Sequence, residues 1–380
     1  MWRFVLFACA LAACSFQHGA GTSIGPGDGG GGGGGTSDAP DARPDAVPDV
    51  PIDACTPGFV DLCTTAVPST SLTLTTDSIN TDSDARCITV TQVGGGDICL
   101  VQGTTVTLAS GGLLSAFGTR PLAIRATSTL EIDGTIDVGS YYQGTAGPAA
   151  NDASCSFGSA AGASAGGSGG GAGGSTGAVG GNGGDGNVGD TIGAAGTAGP
   201  AVASLTHLRG GCPGEVGGGG TGGTGGASGG ALYLVAPTSV TVGMTGKIRA
   251  AGAGGSGGGP EGGGGGGGAG GVVVIESAAI AISGQMTANG GGAGEGGANI
   301  NGDDPVTGNS GADGDYGTTG ALGGTGIDGR LGFGGNGGAG TAAGTGTSSG
   351  AAGGGGGGAV GIIHFIGNSS VTGVVSPAAR

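Results

Sequence analysis

Glycine occupies 107 of the 380 positions, and much of it recurs on a three-residue period. The period runs from Gly171 to Gly189, and again through Gly193, Gly196 and Gly199 after a one-residue slip. It runs from Gly211 to Gly229 and, at its longest, from Gly308 to Gly338. Glycine offers no side chain to bury and loses the most backbone entropy on ordering. Aromatic residues make up only 3% of the chain. A broad hydrophobic core over the whole length is therefore excluded, and apolar clusters must be local. The glycine stretches are ordered by main-chain hydrogen bonds or not at all.

Collagen shares the three-residue period but needs abundant proline. Only Pro305 lies near the longest stretch. Two readings stay open. Polyglycine II helices have three residues per turn, one all-glycine face, and N–H and C=O groups directed at neighbouring helices. A disordered low-complexity loop has the same composition.

Between the glycine stretches the pattern changes to short apolar alternations typical of strands, such as SLTLT, CITVTQ and TTVTLA. A longer unit repeats at Pro121, Ala231, Val272 and Gly361, each an apolar strand, a small turn, a second strand and a glycine. Leu122 to Leu130, Leu232 to Val240, Val272 to Ile280 and Ile363 to Val371 all step by eight. Ile132, Gly134 and Ile136 of the first copy align with Ile282, Gly284 and Met286 of the third. The second copy carries a two-residue insertion, and the fourth reads as truncated. One unit cannot bury its apolar face alone, whereas stacked copies can. The expected class is all-β, a parallel β-solenoid with glycine-rich insertions; the alternative is an antiparallel β-sandwich with disordered glycine loops. The insertions span 141–229, 251–270 and 290–358. Each follows one copy, so stacking would bring all three out of the same edge, side by side.

The amino terminus reads MWRFVLFACALAAC, with Arg3 ahead of a short apolar run too short to span a bilayer. Leu11-Ala12-Ala13-Cys14 resembles the lipobox of bacterial lipoproteins. That resemblance implies a signal peptide over 1–13, cleavage before Cys14 and a diacylglycerol on its thiol. Ser15 then favours the outer membrane or cell surface. Residues 14–54 form a linker: a glycine run to 35, then Pro40, Pro44, Pro48 and Pro51 separated by aspartates. Such a segment extends about 3.1 Å per residue, on the order of 50 Å in all. It would hold a body spanning 55–380 away from the membrane. Cys55, Cys63, Cys87, Cys99, Cys155 and Cys212 form an even set in an exported chain, which points to disulfides. Pairing sequence neighbours gives Cys55–Cys63, Cys87–Cys99 and Cys155–Cys212. No spacing fits a zinc site.

The formal net charge is −16, and Lys247 is the one lysine. Nucleic-acid binding needs clustered cations and is excluded. Histidine is confined to His18, His207 and His364, and no G-x-S-x-G frames a serine. Arg125, Glu131, Asp133 and Asp137 are the nearest to a catalytic group, with Glu131, Asp133 and Asp137 alternating against Ile132 and Ile136. Their plainer reading is a solvated strand face. Asp185 only partly matches a calcium-binding nonapeptide, and the pair Asp313 and Asp315 lacks further ligands. No catalytic residue, metal or cofactor is expected.

The glycine stretches resemble the repeats of mycobacterial PGRS proteins and of glycine-rich phage-tail adhesins. The lipobox, spacer and strand-plus-glycine body together resemble the glycine-rich predicted surface lipoproteins of myxobacteria. The resemblance implies a structural or adhesive role at the cell surface, with the membrane, through lipid on Cys14, and surface glycans or other cells as partners. A carbohydrate-processing β-helix enzyme is the alternative. Neither reading fixes an oligomeric state.

Overall fold

The computed structural model describes residues 58–62, 65–187, 191–300, 304–326, 331–340 and 342–380. All of them lie in one unit, Val50–Arg380. Cys14, Cys55, Cys63 and the linker fall outside the described residues.

Among the described residues there are strands and no helices. The first are β1 (Leu72–Leu74), β2 (Asp77–Asn80) and β3 (Ile88–Val90). One rung follows in β4 (Ile98–Gly103), β5 (Val106–Leu108) and β6 (Leu113–Phe117). The first repeat copy supplies β7 (Leu122–Ala126), β8 (Thr129–Ile132) and β9 (Thr135–Asp137). The second supplies β10 (Ala231–Val235), β11 (Ser239–Val242) and β12 (Lys247–Arg249). The third supplies β13 (Val272–Ile282) and β14 (Gln285–Thr287). A small hairpin, β15 (Ala298–Ile300) with β16 (Asp304–Val306), precedes the fourth copy, β17 (Ile362–Val371) and β18 (Val374–Ser376).

Every pairing except β3 with β4 and β15 with β16 is parallel. The antiparallel sandwich is therefore not formed. The copies lie in register: Leu122 faces Leu232, Leu232 faces Val273, and Val273 faces Ile363. Likewise Ile136, Ile248, Met286 and Val375 form one continuous column. Hydrophobic burial explains the alternation. Leu122, Ile124, Leu130, Ile132 and Ile136 enter one core with their counterparts in the other copies. A second cluster covers the outer face of β4, β7, β10, β13 and β17, where Val60, Leu62 and Leu208 pack on Leu100, Ala123 and Tyr233.

Two expectations need correction. The column partner of Leu122 in the third copy is Val273, not Val272, because the copies turn their first corner with different numbers of residues. Val235 and Ser239 of the second copy face Glu276 and Ala279 of β13, which has one residue fewer between them. Glu276 and Ala279 in turn face Ile366 and Asn368 of β17, which has one fewer again, so Val371 faces Ile282 and not Ile280. Gly367 makes the shorter corner possible: it has a φ of 127°, and a Cβ there would lie 1.7 Å from the carbonyl oxygen of Ser277. The fourth copy is not truncated either, since Val371 faces Ile282 and Val375 faces Met286.

The described parts of the glycine stretches are hydrogen-bonded through the main chain. Chain leaves the ladder after Asp137, Arg249 and Thr287, which are in register, and returns at Ala231, Val272 and Ile362, also in register. The stretches meet through the main chain. Gly264, Gly267 and Gly270 donate to Gly353, Gly356 and Ala359. Gly265, Gly268 and Gly271 donate to Ser256, Ala253 and Ala250, while Gly263, Gly266 and Ala269 donate to Gly218, Glu215 and Cys212. The carbonyls of the same segment accept from three further segments: from Gly223, Gly226 and Gly229, from Gly171 and Gly174, and from Gly291, Gly294 and Gly297. The segment thus bonds to six neighbours at a strict three-residue step.

That arrangement explains the local glycine content. A Cβ on Gly264, Gly265 or Gly266 would lie 2.1, 2.2 or 1.9 Å from a carbonyl oxygen of three different neighbours. A central segment therefore needs glycine at every position, as 262–268 has. The segment at 308–315 turns Gly308, Gly311 and Gly314 inward and leaves Asn309, Ala312 and Asp315 exposed. Glycine at every third position is enough for a segment at the rim. Where a neighbour's carbonyl is missing, a carboxylate substitutes: Glu215 accepts from the N–H groups of Ala161 and Ala172 at 3.0 and 2.9 Å.

Candidate functional site

A gathering of charged and aromatic side chains lies where β9 and β12 end, beside the start of the first glycine stretch and residues 313–316 of the third. Asp137 and Arg249 are in-register neighbours in a column that continues to Thr287 and Ser376. Arg249 is buried, with Nη1 3.3 Å from Asp137 Oδ1. Its Nε and Nη2 donate to the carbonyl of Gly314 at 3.2 and 2.7 Å, and Nη2 donates to that of Ser140 at 3.3 Å. A desolvated guanidinium needs this set of acceptors.

The Tyr141 ring lies over Arg249 at 4.2 Å, and its hydroxyl donates to Asp137 Oδ2. Burial, then the bond to Asp137, pushes the Tyr141 phenol up to about 12. Lys247 Nζ sits 5.1 Å from the centre of the Tyr316 ring, and burial raises the Tyr316 phenol as well. Asn289 holds the loop bearing Tyr316 by donating to the carbonyls of Asp315 and Gly317, and itself accepts from Ser376. Asp313 fixes the other loop, accepting from Tyr142 N at 2.8 Å and Gly254 N at 2.9 Å. Lys247 and Tyr141 reach solvent, while Tyr142 and Tyr316 are half-buried. The patch offers anchored phenol rings, one ammonium donor and the Tyr141 hydroxyl oxygen as an acceptor, which suits stacking and hydrogen bonding to polyhydroxylated ligands.

A second feature is a cavity of about 300 Å³ over the first corner, lined in part by Arg125, Tyr233 and Glu276. Arg125 is almost fully buried and donates to Leu62 O at 3.2 Å and Thr65 Oγ1 at 3.0 Å. Glu276 Oε2 accepts from Tyr233 Oη at 2.6 Å and Phe59 N at 2.8 Å. Burial pushes the Tyr233 phenol far above its ordinary range.

The structure disperses the four residues that sequence reasoning singled out. Arg125 lies on β7 beside that cavity, Glu131 on β8 in the same sheet, Asp133 in the following turn, and Asp137 on β9 in the other sheet. Glu131 and Asp137 therefore do not share a face. His207 lines a different cavity, and His364 lies on β17 with Nδ1 2.8 Å from Arg380 O; His18 is outside the described residues. Asp185 accepts from Ala195 N, a lattice role rather than a ligand role. Among the described residues no three His, Cys, Asp or Glu side chains converge as metal ligands. The bonds Cys87–Cys99 and Cys155–Cys212 are present.

Arg249, Tyr141, Lys247 and Tyr316 were not apparent in the sequence as one site. The available signal was positional: Asp137 and Arg249 each follow the aligned Ile136 and Ile248. No family model matches this chain, and neither curated proteins nor solved structures show a significant likeness to it.

Proposed function

We propose that the chain is a structural or adhesive lipoprotein of the bacterial outer surface, anchored by lipid on Cys14 and without catalytic activity. On this reading the body is a parallel β-solenoid, and its three glycine-rich insertions pack as polyglycine II helices. The observation that carries the proposal is the in-register departure of the three stretches and their mutual main-chain bonding. A block held by backbone bonds is a spacer or platform, with little side-chain chemistry of its own. The tyrosine patch around Arg249 is its contact face. Phenol rings pack on the C–H faces of sugars, while Lys247 and the tyrosine hydroxyls bond sugar hydroxyls.

Two experiments test this. Metabolic palmitate labelling is expected to mark the native chain and to spare Cys14→Ala; equal labelling would refute the anchor. Glycan-array and whole-cell binding of the mature protein is expected to fall at least tenfold in a Tyr141→Ala/Tyr316→Ala double variant. Unchanged binding, or release of reducing ends from polysaccharide, would refute the contact face or the absence of catalysis respectively.

A further inference from the structure

Cys155 and Cys212 join a surface turn to a lattice segment across 57 residues. Arg209, only 8% exposed, lies against this bond. Its Nη2 is 3.1 Å from Cys155 Sγ and 3.5 Å from Cys212 Sγ. The guanidinium is fixed there: Nη1 donates to Ser154 Oγ at 2.7 Å, Nε donates to Gly210 O at 3.2 Å, and Asp152 Oδ1 lies 3.4 Å from Nη2. A cation gains little from a neutral disulfide and much from a thiolate. The other disulfide lacks this feature. Cys99 is fully buried in the apolar core, and the guanidinium of Arg86 is bound to Asp77 and Asp84.

We propose that Cys155–Cys212 is a thiol-exchange site, opened by an external dithiol and held ready by Arg209. Cys155 is the less buried partner, and Asp152 and Arg209, which meet beside the bond, also line a cavity of about 580 Å³ together with His207. A thiolate of the dithiol attacks Cys155 Sγ. A mixed disulfide forms, the protein disulfide breaks, and the electron pair leaves on Cys212 Sγ beside Arg209. The second thiolate of the reagent then attacks its own sulfur in the mixed disulfide. This releases Cys155 and closes the reagent into a cyclic disulfide. The protein gains two electrons and the dithiol loses two. A better-stabilised leaving thiolate makes the bond both faster to open and more oxidising.

The test is equilibration of the full chain in buffers of graded reduced to oxidised dithiothreitol. Acid quench, alkylation and peptide mass spectrometry then read each cysteine separately. Cys155 and Cys212 are expected to open with an equilibrium constant at least about tenfold above that of Cys87 and Cys99, equivalent to about 30 mV. Arg209→Met is expected to erase most of that difference, and Arg209→Lys to keep part of it. The proposal is overturned if the two bonds open together, if Cys87–Cys99 opens first, or if Arg209→Met leaves the order and spacing unchanged. Should Arg209→Met not fold, the native protein still decides. Alkylation of reduced Cys212 against pH must show a midpoint below the ordinary thiol value of about 8.5, and a midpoint at or above it refutes the role of Arg209.

Discussion

Replacing Gly266 by alanine adds a single methyl group at the centre of the glycine lattice. Built on the present backbone, that carbon lies 1.9 Å from the carbonyl oxygen of Ala172 and 2.5 Å from its carbon. Ordinary contact begins at 3.4 Å, so the segment must retreat by about 1.5 Å. The obstacle is main chain, so no side-chain rotation can relieve it. Two hydrogen bonds depend on that approach: Gly171 N to Gly264 O at 2.9 Å and Gly174 N to Gly267 O at 3.0 Å. At a net worth of about 1 kcal/mol each, their loss costs about 2 kcal/mol. Restricting the unfolded chain returns about 0.4–1 kcal/mol, leaving a net destabilisation of roughly 1–2 kcal/mol. Gly220 is the control, because a Cβ there meets nothing within 4 Å. Gly220→Ala is expected to be neutral or stabilising by up to about 1 kcal/mol. Urea unfolding followed by circular dichroism measures both, and hydrogen exchange of peptides covering 262–271 shows whether the loss is local. Equal stability of the two variants would refute the claim that main-chain approach, rather than glycine flexibility, dictates composition here.

Three further outcomes follow from the structure. Glu215→Ala leaves Ala161 N and the buried Ala172 N without their acceptor and is expected to cost about 1–3 kcal/mol, read by the same unfolding assay. The bond from Arg86 holds the Asp84 carboxyl at about 2 instead of 3.8, so its small contribution is complete above pH 3.8 and fades as pH falls towards 2; Asp84→Asn should flatten the stability profile in that window only. The Tyr141 phenol, raised to about 12, favours the folded state below pH 10 and loses that effect as pH rises towards 12. Absorbance titration should show a tyrosine ionising at about 12 that Tyr141→Phe removes, while Tyr233 and Tyr316 still ionise later.

Much of the ladder was legible because burial imposes alternation. Ile132 and Ile136 matched Ile282 and Met286 in sequence, and both sets now share columns through Val242 and Ile248. Pairing neighbouring cysteines also anticipated both described disulfides. Corner lengths were not legible, since a corner is set by one flexible residue such as Gly367 and leaves no periodic trace. That hid the one-residue offset at Val273 and the completeness of the fourth copy. The glycine period named the inward face of a segment but not its partner, because one glycine face resembles another. The pairing of Asp137 with Arg249 spans 112 residues and depends on stacking, so no local pattern could announce it. Nearness in sequence misled the grouping of Glu131 with Asp137, which a turn at Gly134 sends to different sheets.

The six-neighbour packing of 262–271 also bears on temperature. Melting a hydrocarbon core exposes apolar surface and gives unfolding its large heat-capacity increment, about 12–15 cal/mol/K per residue in ordinary domains. Melting a block of peptide groups exposes polar surface, which lowers that increment. The glycine-rich part should therefore show a shallow dependence of stability on temperature. It would lose little strength in the cold, where apolar cohesion weakens.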